Sequence, residues 1–206
     1  MTPSISDQIS PNSSKLGAWL FRHRTSLPLP IAAAILLIPP GETPRPVTTV
    51  LTGVALTAIG EALRLWGVHH IGTISRTRSD RLGPLVDSGP FAYVRNPLYI
   101  GNILLWAGFA VTARLLWLAP VAVALLAAEY HWIVKWEEAL LLARRGDEYR
   151  AYQRRVPRWI PRFGRRRPGS GSVAGPSPIF LTLFSERGTL VAIAAGYCLL
   201  WLKARF

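Results

Sequence analysis

The chain has 206 residues, half of them hydrophobic, with a mean hydropathy of +0.25, eight Trp and a formal net charge of +13. A water-soluble domain of this size is seldom so apolar and so basic together, whereas a membrane protein with arginine-rich loops is both. Cys198 is the only cysteine, which excludes an intramolecular disulfide and a cysteine metal cluster.

Residues 1–26 form a basic N-terminal segment with Lys15, Arg22 and Arg24. The apolar run that follows, Leu27 to Pro40, carries Pro28, Pro30, Pro39 and Pro40 and crosses a membrane only if the turn from Trp19 is drawn in. It lacks a small-x-small cleavage site and flows into the next apolar stretch, so a span rather than a signal peptide is expected. Val47 to Val68 is 22 residues long and broken only by Glu61 and Arg64. At about 1.5 Å per residue it covers a hydrocarbon core of about 30 Å. Residues 27–68 are thus read as the first two transmembrane helices. Residues 69–167 hold two more, Leu98 to Thr112 and Leu115 to Trp136, joined through a lone Arg114 as a tight hairpin. Residues 168–178, PGSGSVAGPSP, read as a flexible linker. Residues 179–206 read as a C-terminal hydrophobic helix, apolar from Gly188 to Leu202. The expected fold is all-α, a polytopic transmembrane bundle of about five spans with a cytosolic pocket formed by loops and helix ends.

Arginine and lysine placement predicts the orientation, because short loops rich in them stay in the cytoplasm. The N-terminal segment, the loop with Arg76, Arg78, Arg81 and Arg95, and the stretch Arg144 to Arg167 with its ten arginines all fall on one side, while the opposite connections offer only Arg45 and Arg114. The N-terminus is therefore expected inside. Tyr149, Tyr152, Trp159 and Phe163 interleave the last basic stretch, which directly follows a span; it is expected to lie on anionic headgroups rather than to bind nucleic acid.

Glu61 and Arg64 share a helix face, and charges inside a span usually meet each other or a cavity. Glu137 and Glu138 end the fourth span where the chain turns basic. His69 and His70 are adjacent and so do not share a helix face; with His131 they lack an acidic partner at ligand spacing, and no metal is expected. Neither a Ser-His-Asp set nor a G-x-G-x-x-G fingerprint is present. Pro97 biases Asn96 toward extended geometry and starts a helix, whose free amides and positive dipole end suit an anionic or oxygen-rich group.

GEALR (60 to 64), GPLVDSGPFAYVRNPLYIG (83 to 101), the glutamate pair 137 to 138 and GDEYRAYQRRVPRWIP (146 to 161) resemble, in order and spacing, the isoprenylcysteine carboxyl methyltransferases and their prokaryotic relatives, a group also similar to the phospholipid N-methyltransferases. The resemblance covers residues 60 to 163. It implies a membrane methyltransferase using S-adenosyl-L-methionine on the cytosolic side, with a lipophilic small-molecule or lipid acceptor arriving from the bilayer. By position it implies cofactor contacts at Arg76, Gly83, Pro84, Leu85, Val86, Phe91, Asn96, Pro97, Leu98, Tyr99 and Glu137, with Arg95, Tyr99 and Glu137 as the catalytic group. Glu61, Arg64, His131, Ile133 and Lys135 are the candidates for the acceptor, with Arg64 and Arg95 for an anionic group on it. The sequence departs from the family at three of these places. Asn96 stands for the common His, Phe91 for a Tyr, and Ile133 for an Arg that contacts substrate, leaving His131 and Lys135 as the nearest basic residues. Two other classes remain open on the residues alone: an NADPH-dependent membrane reductase, its 2′-phosphate held by arginines, and a non-catalytic membrane scaffold.

Overall fold

The structure is a computed structural model that describes residues 11–71, 85–162 and 177–205. Among these all regular structure is helical. The order is α1 (Pro11–His23), α2 (Leu29–Leu37), α3 (Pro46–Ile71), a single 3-10 turn (Gly89–Ala92), α4 (Pro97–Thr112), α5 (Leu118–Arg145), α6 (Asp147–Arg155) and α7 (Ile179–Lys203). Three of these, α3, α5 and α7, are long and apolar enough to cross a membrane, and α4 is a shorter apolar helix of 16 residues. Their outer faces carry large exposed apolar side chains such as Leu51, Ile59, Leu125, Phe184 and Trp201. The protein is thus a helical integral membrane bundle.

The first expected span is corrected. It is not one helix: α1 ends at His23, a turn occupies residues 24–28, and α2 has only nine residues. Nine residues rise about 13.5 Å, less than half of a hydrocarbon core. The cause is in the sequence, since Pro28 lacks an N–H and Pro30 stands in the first turn of α2, where proline is tolerated. The last helix runs from Ile179 to Lys203 and so holds Glu186 and Arg187 within its length, ahead of the apolar run from Gly188.

Helices α3 and α4 run antiparallel with their backbones in contact. A Cβ built on Gly60 would lie 2.7 Å from the Gly101 carbonyl oxygen, and one on Gly53 would lie 2.7 Å from that of Gly108. The glycines recur seven apart on both helices, so they fall on one stripe of each, and small residues there allow the approach that membrane helices use in place of hydrophobic exclusion. Gly101 also makes room for the stem of Arg64, whose Cγ would sit 2.6 Å from an added Cβ. The α4–α5 connection is the tight hairpin expected: the Leu115 amide donates to the Ala110 carbonyl at 2.9 Å, and Arg114 adopts a left-handed φ of 60° at the tip.

α7 is tied along its whole length. At one end the Ser177 amide donates to the His69 carbonyl at 2.8 Å, midway the Tyr197 hydroxyl meets Thr57 Oγ1 at 2.7 Å, and at the far end Lys203 Nζ donates to the Ile35 carbonyl at 2.6 Å and also to that of Ile38. The chain therefore has two distinct ends. Arg95 and the stretch from Arg144 to Arg162 lie at the end where α4 begins, called here the motif end. Arg45 and Arg114 lie at the other.

Gly60→Ala is expected to force α3 and α4 apart, because the obstacle is backbone rather than a flexible side chain. It should cost about 1–3 kcal/mol and lower the melting temperature in detergent. Gly196→Ala, which meets only the ring of Phe109, should cost less.

Candidate functional site

At the motif end, α4 is entered through Asn96, whose φ of −126° and ψ of 53° leave its side chain off the first helical turn. Asn96 instead donates Nδ2 to the Arg158 carbonyl at 3.1 Å. The amide of Arg95 donates to the Pro157 carbonyl at 2.9 Å, and that of Arg162 to the Tyr93 carbonyl at 3.1 Å. Residues 156–162 are therefore a strap laid across residues 93–96. Glu138 fastens it. This carboxylate is buried at the end of α5 and takes Arg95 Nη1 at 2.7 Å, Arg158 Nε at 3.1 Å and Arg158 Nη2 at 2.5 Å. The hydrogen bonds to Glu138 hold the Arg158 guanidinium above its ordinary pKa, against the effect of its partial burial.

α6 supports the strap from beneath. Tyr149, Tyr152 and Val156 form a small buried cluster with Leu85, Leu141 and Leu142 around it. The Tyr152 hydroxyl donates to the Phe91 carbonyl at 2.9 Å. Burial pushes both phenols well above their ordinary pKa, so both stay neutral.

One turn into α4, the Tyr99 hydroxyl donates to Glu137 Oε2 at 3.0 Å. The Tyr99 ring lies 4.6 Å from that of Tyr130, which hydrogen-bonds Asn102. Asn102 Oδ1 in turn accepts from Arg64 Nη1 at 2.6 Å. Arg64 also donates through Nη2 to Glu186 Oε2 at 2.5 Å and to Thr189 Oγ1 at 3.1 Å, with Glu61 Oε2 3.5 Å from its Nε. A polar path thus leads from Glu137 at the motif end, through α4 and α5, to α3 and α7 within the apolar part of the bundle.

Of the residues expected at the site, Tyr99 meets Glu137, while Arg95 meets Glu138 and Asn96 the Arg158 carbonyl. Leu98 packs on Gly67, Phe91 anchors Tyr152 through its carbonyl, and Leu85 lies on the α6 cluster. Val86 is half-buried three residues before the 3-10 turn. Arg76, Gly83 and Pro84 lie outside the described residues. Glu61 and Arg64 form their own cluster with Glu186. Arg64 and Arg95 each already face a carboxylate, so an anion at either must displace one. His131 and Lys135 are exposed on α5 beside Trp132, whereas Ile133 is fully buried in the core. His69 meets Thr182, and the ring of His70 fills the space over Gly89. Arg158, Asn102, Tyr130 and Glu186 were not singled out from sequence. Of these, Arg158 had a signal, its place within the quoted 146 to 161 motif.

The fold defines a helical integral membrane protein. Residues 48–145 match the family model described as phospholipid methyltransferase, a family that includes the isoprenylcysteine carboxyl methyltransferases. Among curated proteins, the chain is 29% identical over 116 residues to the nickel-cobalt-cadmium resistance protein NccN of Alcaligenes xylosoxydans xylosoxydans, covering 56% of this chain and 50% of that one. It is 30% identical over 120 residues to the cobalt-zinc-cadmium resistance protein CzcN of Cupriavidus metallidurans, covering 58% and 51%. The chain spans about half the length of these relatives. No solved structure matches.

Replacing Glu138 by Ala leaves two guanidiniums packed at the motif end without their shared carboxylate. Loss of one partner from such a buried arrangement costs about 3–5 kcal/mol. The variant should melt earlier, and the amides of Arg95 and Arg162 should exchange with deuterium faster than those of α3.

Proposed function

We propose that this protein is a methyltransferase that binds S-adenosyl-L-methionine at the motif end and methylates a lipophilic acceptor reaching it from the bilayer, an isoprenylcysteine-like carboxylate or a lipid head group. The observation that carries this is the Tyr99–Glu137 contact, which closes two segments far apart in sequence into one site beneath the strap, within the residues that match the family. The residues fit such a cofactor. Asn96 does not cap α4, so the first-turn amides keep their donor character toward an anionic or hydroxyl group. Glu137 offers a carboxylate to a sulfonium, an ammonium or ribose hydroxyls, and Phe91, Pro97 and Leu98 supply apolar surface.

S-adenosyl-L-methionine supplies a methyl group on a positively charged sulfur, ready for in-line displacement. The chain's own contribution is then alignment and exclusion of water. Tyr99 fixes one oxygen of Glu137 and so sets the direction of its charge. Arg95 acts through Glu138, which clamps the strap over the α4 start. A carboxylate acceptor is already ionised at neutral pH, whereas an amine must first lose a proton. Glu137 is the carboxylate placed to assist in the second case. Arg64, Glu61 and Glu186 lie where a head group entering between α3, α4 and α7 meets its first polar side chains.

The motif end is assigned to the cytoplasm by its arginines. Not all of these are available to lipid: Arg150 pairs with Asp147 at 3.1 Å, Arg155 with Asp87 at 3.4 Å and Arg158 with Glu138. Arg144, Arg154 and Arg162 remain exposed and would rest on anionic headgroups, each contributing about 1 kcal/mol near such a surface.

Calorimetry on the purified protein should show S-adenosyl-L-methionine binding that weakens at least about tenfold, or 1.4 kcal/mol, in Glu137→Gln and Tyr99→Phe. Unchanged affinity in both removes the assignment. Incubation of a membrane lipid extract with isotopically labelled methyl donor should place label in the lipophilic fraction.

A further inference from the structure

The break between α1 and α2 lies outside the family-matched residues, and it opens with a charged side chain, Arg24, folded back onto the last turn of α1. The Cζ atom of Arg24 lies 3.8 Å from the centre of the Phe21 ring, and Nη1 donates to the Phe21 carbonyl at 3.3 Å. The Phe21 ring in turn lies 5.0 Å from that of Trp136, the residue next to Glu137. Phe21 and Tyr99 pack against the same buried core cluster. The other partly buried arginines near this path, Arg64, Arg95 and Arg158, each face a carboxylate within 4 Å. Arg24 has no such partner among the described residues; its contacts are one backbone carbonyl and an aromatic face. A guanidinium lying flat on a ring keeps donors at its edge, the geometry that grips a carboxylate or phosphate with two parallel hydrogen bonds.

We propose that Arg24 binds an anionic oxygen group, carboxylate or phosphate, of a ligand held at the Tyr99–Glu137 site, and that the α1–α2 break exists to deliver it there. The inference rests on the proposed function. Glu137 and Arg24 then present opposite charges to one ligand, a pairing that suits a molecule carrying both an ammonium or sulfonium and an acid. The anion has two possible sources, the amino-acid carboxylate of the cofactor or an acidic group on the acceptor. A half-buried guanidinium without an anion is costly to hold, so occupancy by either source relieves a cost the empty site bears.

The test compares Arg24→Gln and Arg24→Lys with the wild type, using calorimetry for S-adenosyl-L-methionine and for its decarboxylated analogue, and labelled methyl transfer into a membrane lipid extract. If the cofactor is the source, both variants bind S-adenosyl-L-methionine roughly tenfold to a hundredfold more weakly, while the decarboxylated analogue binds wild type and variants alike. If the acceptor is the source, cofactor binding is unchanged and the lipid-extract concentration for half-maximal transfer rises by a similar factor. Arg24→Lys keeps the charge but not the two-pronged grip, so a loss in it at an unchanged melting temperature excludes a purely structural role. Wild-type binding and transfer matched by both variants overturn this inference alone. A wild type that binds no cofactor overturns the proposed function and this inference with it.

Discussion

The carboxylate of Glu138 is the point on which the motif end depends. A charge withdrawn from water persists only if its partners satisfy it, and here the two partners arrive from different segments: Arg95 from the approach to α4, Arg158 from the strap beyond α6. Neither segment has a strand or long helix of its own to fix it. Once both are drawn to one buried acid, the backbone bonds from Arg95 to Pro157 and from Arg162 to Tyr93 fall into register, and the entry to α4 is closed on one side. Glu137 is one residue earlier on the same helix, so its position relative to Tyr99 is set by the same clamp.

A second constraint acts on the helices. Because α3 and α4 touch through bare glycine backbone, their relative height is fixed to within a residue. That fixes where Arg64, on the fourth residue after Gly60, meets Asn102, next to Gly101. The polar path from Glu137 to Glu186 is thus a consequence of glycine register as much as of its own hydrogen bonds. An apolar surrounding makes each of those bonds costly to break without a replacement, which is why α7, with few apolar contacts of its own at that level, is held to the bundle by Glu186 and Thr189.

Much of this was legible in the sequence, for reasons that differ from element to element. Val47 to Val68 and the Arg114 hairpin were plain because length and hydropathy alone decide a span. The site at Tyr99 and Glu137 came through the family resemblance; no spacing rule relates two residues 38 positions apart, as the hydrogen bond between them is. The pairing of Glu138 with Arg158 was hidden because an ion pair across a loop depends on the path of that loop. The pairing of Glu186 with Arg64 was hidden as well, since a sequence does not show that a guanidinium waits on a neighbouring helix. The prolines at 28 and 30 signalled the broken first span, and the glycines seven apart on α3 and α4 signalled their contact without being read. His131 and Lys135 followed from their distance in sequence to an expected arginine position. On a helix of 3.6 residues per turn, His131 lies two residues from buried Ile133, about 200° around the axis and therefore on the opposite face.

The matched residues 48–145 hold α3, α4 and α5, hence the glycine contact, Tyr99, Glu137 and Glu138. The partners that neutralise or direct this core come from its flanks: Arg158 from the strap, Glu186 and Thr189 from α7, Arg24 from the break before α2. A bundle of three helices can keep one reaction geometry while its flanks decide which of the buried charges are already satisfied and which still need a ligand. In this chain α7 brings Glu186 to Arg64, and the strap brings Arg158 to the Glu138 that Arg95 also faces. The segments on either side of the matched core thus complete its charge balance.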